Sequence, residues 1–504
     1  MTSKLRVVIA GGGTAGWMCA AAFARRLDRD RYDITLIESA DIGTVGVGEA
    51  TLPHIKTFND MLGIDEARFM RNCKATFKLG IEFVDWGRKG NRYIHPFGTF
   101  GEAWRGLGFH HYWTRARRLN QHPAPLNEYS YAVMAAQQGR FEFPNEDQKS
   151  IRSTYAYAYH FDAGLYGEFL REWATARGVK RIEGRIDHVT QTATGDIATL
   201  TLASGAIISG DLFVDCSGFR ALLLDGALNS PWENWTHWLP CDRALAMPVT
   251  RSGDLASATR STAQAAGWTW RIPLQHRTGT GYVFSSSHIT ETEAHDTLNT
   301  NAQGLADPRL LRFRAGRRPK AWTGNCVGIG LASGFLEPLE STSIYLIQVG
   351  ALSLAELIPT TPGPTDPRLA AEFNRRSDIE YERIRDFLIL HYHANGRTGE
   401  AFWDDVRHMA IPDSLAHKIE LFRRRGHIPA YKDGLFSPDS WLSVLAGQDI
   451  LPGNYDRLAD ALDPDQTARL MADLRERIAG QVAAMPAHGD FVSYFAEARE
   501  EMPA

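Results

Sequence analysis

Apolar positions along the chain fall into short runs punctuated by glycine. At the N-terminus they alternate strand with helix. Val7-Val8-Ile9-Ala10 is an uninterrupted apolar run, as expected of a strand buried on both faces. A glycine turn follows, and Trp17-Met18-Cys19-Ala20-Ala21-Ala22-Phe23-Ala24 predicts a helix. Ile34-Thr35-Leu36-Ile37 closes the strand–helix–strand unit and ends in Glu38. Further on, Phe77-Lys78-Leu79-Gly80-Ile81-Glu82-Phe83 alternates strictly, which predicts one strand. Phe77, Leu79, Ile81 and Phe83 would share a face, with Lys78 pointing the other way alongside Glu82. Over residues 91–145 the period is lost and aromatics crowd together, among them Tyr93, His95, Phe97, Trp104, Tyr112 and Trp113. Such a stretch is too aromatic for disorder, and long irregular segments inside a folded chain usually carry function.

The second half repeats the alternation less regularly. Tyr159 to Leu170 leads into a helix ending near Arg177-Gly178, and residues 179–189 and 197–208 predict a small antiparallel sheet. Asp211-Leu212-Phe213-Val214-Asp215-Cys216-Ser217-Gly218 is another buried strand ending at a glycine turn. Residues 249–284 predict β structure forming a wall, in which Trp268, Trp270 and Ile272 present one face. Pro273 stops the ladder because it has no N–H to donate. Val327 to Ala332 leads to Leu336-Glu337-Pro338-Leu339-Glu340-Ser341-Thr342-Ser343, with a helix from Ile344 and Ser341 or Thr342 as its N-cap. Residues 358–367 read as a proline-rich linker. The remainder is mainly helical, apart from an irregular aromatic stretch at 430–441.

Composition narrows the function classes. A chain of 504 residues buries a large core and divides into more than one module. Lys plus Arg (55) and Asp plus Glu (59) nearly cancel, so no global field favours nucleic acid or an anionic membrane. Five cysteines are scattered without a C-x-x-C pair, which argues against a zinc site and against a disulfide framework. The first strand begins too early to leave room for a signal peptide, and no apolar stretch spans a bilayer. The expectation is a soluble, cytoplasmic protein without a structural metal. Thirteen tryptophans are more aromatic surface than a core alone requires.

The spacing G-x-G-x-x-G falls on Gly11, Gly13 and Gly16, between a strand and a helix. In a dinucleotide site Gly11 allows the tight turn, Gly13 admits a pyrophosphate close to the backbone, and Gly16 lets helix and strand pack. The helix aims its N–H groups and positive dipole end at the phosphates, and Glu38 stands where a carboxylate accepts from a ribose hydroxyl. Gly43, Gly46 and Gly48 forbid a regular helix in the following segment, which is either backbone lying against a ligand or an ordinary flexible loop.

Taken together, the chain resembles the flavin-dependent halogenases, the group that includes the tryptophan halogenases. The resemblance rests on Gly11 to Gly16, Gly46-Val47-Gly48-Glu49-Ala50-Thr51, Phe77-Lys78-Leu79-Gly80, Trp268-x-Trp270-x-Ile272-Pro273 and Leu336-Glu337-Pro338-Leu339-Glu340-Ser341-Thr342. It implies an α/β fold: a flavin monooxygenase-like FAD-binding module, Rossmann-type βαβ plus β-sheet, interlocked with a mainly helical substrate module. The expected division is 1–360, with 91–150 as an aromatic substrate-pocket insertion, and 361–504 covering the substrate site. The resemblance implies FAD, used as FADH2 from a separate flavin reductase, with O2 and chloride or bromide as co-substrates. Hypohalous acid passes through an internal tunnel to an aromatic substrate. Homodimerisation is a further expectation.

The same resemblance assigns residues. Lys78 matches the lysine that hydrogen-bonds the hypohalous acid or forms a haloamine. Glu340 matches the carboxylate that stabilises the cationic ring or takes its proton, with Glu337 as the rival three residues earlier. Gly11, Gly13, Thr14, Ala15, Gly16, Glu38, Ala50, Ile186, Leu331 and Ile344 would hold the cofactor. Thr342 and Ser343 open a helix whose N–H groups can hold a halide, and Ser343 replaces the glycine usual in tryptophan halogenases. Trp268 and Trp270 would separate flavin from substrate, and His95, Phe97 and Trp441 would hold the substrate ring. Tyr431-Lys432-Asp433-Gly434-Leu435-Phe436 does not reproduce the lid that grips free tryptophan, so indole or a larger indole-bearing molecule is the expected substrate. Blander readings stand beside these. A lone lysine on a polar strand face is ordinarily solvated, and a glutamate before a helix is ordinarily a favourable N-terminal charge. The rival functions are an FAD-dependent aromatic hydroxylase, an NAD-linked dehydrogenase and a non-catalytic flavin-binding protein.

Overall fold

In the computed structural model, which describes residues 4–39, 48–251, 253–301 and 304–497, the N-terminal fingerprint lies inside a six-stranded sheet. Gly43, Gly46 and Val47 of the predicted cofactor loop lie outside the described residues. Spatial order in the sheet is Trp322–Thr323, Cys326–Gly328, Leu212–Asp215, Leu5–Ala10, Tyr32–Glu38, Lys180–Glu183. Leu5–Ala10 runs parallel to both neighbours, with Val7 opposite Ile34 on one side and Leu212 on the other. A central parallel strand is covered on both faces, which is why Val7 to Ala10 tolerate no polar residue. The helix Thr14–Arg26 covers one face; Ala20, Ala21 and Ala22 are wholly buried, their small side chains letting the helix lie close. The predicted antiparallel sheet forms from Ile186–Gln191, Ile197–Leu202 and Ile207–Ser209, but Lys180–Glu183, at the start of the predicted stretch, pairs parallel with Tyr32–Glu38 instead; Ile197, Leu200 and Leu202 share a core with Val8, Ile37 and Phe213.

The chain groups into two compact units, each built from three stretches: Met1–Ala75, Phe161–Asp242 and Arg312–Glu382 in the first, and Thr76–His160, Arg243–Leu311 and Arg383–Ala504 in the second. This grouping does not follow a cut at residue 360. The first unit also holds the helix Thr342–Leu357, which packs on Thr14–Arg26. It begins two residues earlier than the sequence suggested. Ser341 occupies the N-cap position with φ +60°, and its side chain does not bond back to the helix.

In the second unit a sheet runs in the order Arg243–Val249, Thr278–Phe284, Gly267–Pro273, Ala258–Gln264, Gly80–Val84, Arg92–Pro96. Trp268, Trp270 and Ile272 do share one buried face. Trp270 pairs with Gly281, where any Cβ would run into the indole ring. The single strand predicted over Phe77 to Phe83 is corrected: Thr76–Lys78 and Gly80–Val84 are separate strands. Thr76–Lys78 pairs antiparallel with Ala158–Asp162, whereas Gly80–Val84 pairs with Ala258–Gln264 and Arg92–Pro96. The break is at Leu79, whose N–H donates to Ser257 O (2.7 Å) and whose carbonyl accepts from Phe97 N–H (2.8 Å). Residues 91–145 hold more regular structure than their lost period suggested, including the helices Phe109–Arg118 and Tyr131–Gln137. All five cysteines are free and buried, and among the described residues no helix is long and apolar enough to cross a membrane.

Candidate active site

The glycine turn of the first unit shows what each glycine does. Gly11 has φ +117°, and a Cβ there would overlap the Cys216 carbonyl. At Gly16 a Cβ would overlap the Gly11 carbonyl oxygen, so Gly16 sets the helix-to-strand distance. Gly13 differs: its φ is −74° and a Cβ there would meet nothing within 4 Å. Gly13 caps Thr14–Arg26 without a side-chain hydrogen bond, and no acidic residue stands in the first helical turn. The helix end is therefore polarised positive, free of internal carboxylates and open above Gly13, which fits the pyrophosphate of FAD.

The other residues expected at the cofactor lie on several elements of this unit. Gly330, at φ +71°, brings the turn Gly330–Ala332, and with it Leu331, against Ala15 and Ile347. Ile344 is buried in the helix that Ile347 shares, and Ala50 is buried in the short strand Gly48–Ala50. Ile186 packs on the core that includes Ile37. Glu38 is not simply an open acceptor at the strand end. Trp17 Nε1 donates to its Oε2 (3.0 Å), Arg181 pairs with Oε1, and Arg171 stands 4.0 Å away. A carboxylate has room for further donors, so these partners fix it without saturating it. Trp17, Arg171 and Arg181 carry no sequence signal for this role. Glu49, in the family motif but unassigned by it, is pushed up to about 7 by burial.

Glu337 and Glu340 are both fully buried, on either side of Pro338 in the turn leading to Thr342–Leu357. Burial shields both carboxylates from water and does not choose between them. Thr342 is fully buried, and its Oγ1 has no hydrogen-bond partner among the described residues; Ser343 is half-buried beside it. Because Ser341 does not cap the helix and its first turn holds no acid, the N–H groups of this turn and the Thr342 hydroxyl form a donor set suited to an anion.

Lys78 belongs to the second unit and is 0% exposed, so the solvated reading fails for it. Its Nζ lies 5.0 Å from the Phe97 ring centroid, within cation–π range. Two buried histidines anchor its strand. His160, paired with Thr76 across the strands, contacts Thr76 Oγ1 (3.1 Å) through Nδ1 and Thr259 Oγ1 (2.9 Å) through Nε2. His488 Nε2 accepts from Phe77 N–H (3.2 Å), while Nδ1 meets Leu255 O (2.9 Å). Burial holds both rings neutral: His488 is lowered to about 4, and His160 well below its ordinary value, with the Lys78 charge adding to the effect. Neither histidine stands near Lys78 or near the other in sequence, so no motif announced them.

Phe387 joins two of the substrate candidates. His95, itself buried, meets its ring at 5.5 Å and Trp441 meets it edge-on at 5.0 Å. Phe436 stacks on Phe387 at 3.8 Å and also lies 6.1 Å from His95. Phe97 stands with Lys78 instead. Trp268 and Trp270 lie 6.1 Å apart, and Trp268 Nε1 donates to Tyr392 Oη (3.0 Å), which fixes its plane.

A family model described as tryptophan halogenase matches residues 6–464. The tryptophan 7-halogenase RebH of Lentzea aerocolonigenes is 36% identical over 448 residues, covering 84% of this chain and 83% of its own. Among solved structures, BrvH, a flavin-dependent halogenase from Brevundimonas sp. BAL3, superposes with TM-score 0.93 at 44% identity, covering 98% of this chain and 99% of its own. A flavin-dependent halogenase from Xanthomonas campestris gives TM-score 0.93 at 46% identity, with 98% of each chain covered.

Proposed function

The chain belongs to the tryptophan halogenase family and is a flavin-dependent halogenase. From that premise we propose that it transfers halogen to an indole or an indole-bearing molecule, with Lys78 and Glu340 as its catalytic residues. The observation that carries the proposal is the complete burial of the Lys78 ammonium beside the Phe97 ring, on a strand anchored by two neutral histidines. A surface lysine needs none of this.

The enzyme uses FADH2, oxygen and halide, and reduced flavin comes from a separate flavin reductase. When bound, FADH2 would supply the two electrons that reduce oxygen in converting halide to hypohalous acid. Gly11, Gly13, Thr14, Ala15 and Gly16 would hold the pyrophosphate, Glu38 the ribose, and Ala50, Ile186, Leu331 and Ile344 would line the rest of the cofactor. Thr342 and Ser343 hold the halide with backbone N–H groups and the Thr342 hydroxyl. Trp268 and Trp270 keep the substrate ring away from the flavin.

Lys78 donates a hydrogen bond to the oxygen of the hypohalous acid. As the ring carbon bonds to halogen, the halogen–oxygen bond breaks and the departing hydroxide takes the Lys78 proton to become water. Glu340 stabilises the cationic ring in a site shielded from solvent and then accepts its proton. The second reading, an aromatic hydroxylase, would leave the halide site idle. His95, Phe97 and Trp441 hold the flat substrate by ring contacts. Tyr431 to Phe436 do not supply the family's tryptophan-gripping lid, which favours indole over free tryptophan. The reading also places the enzyme in the cytoplasm.

Purified protein with FAD, a flavin reductase, NADH and bromide or chloride, given indole or tryptophan, tests the proposal by mass spectrometry. Halogenated indole in excess over halogenated tryptophan is the expected product. Hydroxylated product independent of halide would establish the second reading.

A further inference from the structure

Resting on the substrate reading of Trp441, we propose that Lys418 and Arg383 read an anionic substituent on the substrate, so that the preferred indole carries a carboxylate and no nearby ammonium. Lys418, on the helix Asp413–Arg425, is 2% exposed. Its Nζ lies 3.5 Å from the Trp441 ring centroid and 4.1 Å from that of Tyr431. Arg383 stacks on Tyr431 at 3.4 Å. Cations and rings therefore alternate from Arg383 through Tyr431 and Lys418 to Trp441, and Trp441 in turn meets Phe387, which also contacts His95.

The series holds two cations without a carboxylate bound to either. Among the described residues, Lys418 and Arg383 make no ion pair. Asp386 is the carboxylate that acts on Lys418 through space, but Arg385 takes its Oδ1 (2.8 Å) and Ser414 its Oδ2 (2.6 Å). Aromatic faces offset part of the cost of burying an ammonium, and a buried cation without an anion remains expensive. A carboxylate arriving with the substrate removes that cost, while a ligand ammonium adds to it. Burial and the Arg383 charge lower the Lys418 amine to about 7, so anion binding must also keep it protonated.

Calorimetric titration with indole-3-acetate, indole and tryptamine tests this directly, without relying on turnover. At pH 6 we expect indole-3-acetate to bind roughly 10- to 100-fold more tightly than indole, the worth of a charge-assisted hydrogen bond, and tryptamine to bind more weakly than either. Lys418→Met should remove the preference and Lys418→Arg should retain it. In the wild type the preference should shrink as pH rises from 6 to 9, because the free amine must then be protonated on binding; this arm needs no variant to fold. Equal affinity for indole and indole-3-acetate, tighter binding of tryptamine, a preference surviving Lys418→Met, or one constant from pH 6 to 9 would each overturn the assignment. A binding preference for indole-3-acetate without any halogenated product would instead count against the substrate reading while leaving the anion site standing.

Discussion

Replacing Gly13 and Gly16 separately by alanine divides the binding role of the glycine turn from its folding role. At Gly16 the added Cβ would stand 1.9 Å from the Gly11 carbonyl oxygen, 3.0 Å from its carbon and 3.5 Å from Leu36 Cδ1. Carbon and oxygen approach to roughly 3.3 Å at closest, so helix and strand must separate by an ångström or more. Both are fully buried around this point, and the retreat opens gaps along Ala20 to Ala22. Overpacking of this kind costs about 1–3 kcal/mol. For a unit of a few hundred residues, each kcal/mol lowers Tm by roughly 2–4 °C. At Gly13 none of this applies, since φ is −74° and the added carbon meets nothing within 4 Å. Alanine there should shift Tm far less than at Gly16, because the restriction it puts on the unfolded chain is set only against its being a poorer helix cap than glycine.

FAD binding should respond in the opposite sense. On the proposed reading the pyrophosphate meets the helix N-terminus in the open space above Gly13, and a methyl group there would block at least one charge-assisted hydrogen bond. Such a bond contributes about 1.5–3 kcal/mol, so affinity should fall roughly 10- to 100-fold. Thermal melts of the FAD-free variants, with FAD titrations followed by flavin fluorescence, separate the two effects. A Gly13→Ala protein that melts as early as Gly16→Ala, or binds FAD within twofold of wild type, would refute this account of the cradle.

Lys78→Ala should abolish halogenated product while FAD affinity, by the same titration, stays within about threefold; normal turnover in this variant would remove Lys78 from the reaction. Glu340→Gln should lower kcat by roughly 10²–10³ with little change in KM, the pattern of an interaction made only in the transition state, and the same pattern in Glu337→Gln instead would transfer the role. Bromide should be used at least as well as chloride in competition at equal concentration, since it is less tightly hydrated and more easily oxidised and Ser343 adds a side chain at the anion site; mainly chlorinated product would contradict this. His488 titrates at about 4 in the folded protein against 6.5 unfolded, so between those values the unfolded chain binds more protons and stability falls as pH is lowered. His488→Gln should make this acid limb shallower by about 1.4 kcal/mol per pH unit, as measured by urea unfolding at a series of pH values, and an unchanged slope would exclude His488 as a contributor.

Sequence reasoning succeeded where local pattern and tertiary role coincide. The run Val7 to Ala10, the glycine spacing and the alanine-rich helix each dictate the backbone path, because strand burial, turn geometry and helix approach are local demands. The tryptophan face of Gly267–Pro273 was legible for the same reason: period two fixes which side chains share a side. The partners of Glu38 were not legible. Arg181 lies on a strand far along the chain, and only the parallel register that sets Glu38 opposite Glu183 brings it near.

Lys78 shows how a strict alternation can hold while the local structure read from it does not. Strict alternation from Phe77 to Phe83 implied one strand and a lysine on its polar face. The chain instead leaves one ladder for another at Leu79, whose N–H and carbonyl turn to Ser257 and Phe97. Gly80 permits that exchange, since a Cβ there would overlap the His95 carbonyl. Period two survives across the break, so the pattern cannot reveal it, yet the break separates two fates. Glu82, on the second strand, pairs with Arg260 and Arg92 near the surface. Lys78, on the first, is sealed from water beside Phe97. Burying an ammonium is expensive wherever it occurs, and a fold that needed only a strand here would have placed an apolar residue at 78. The cost is evidence of use, and it became visible only once the strands were told apart.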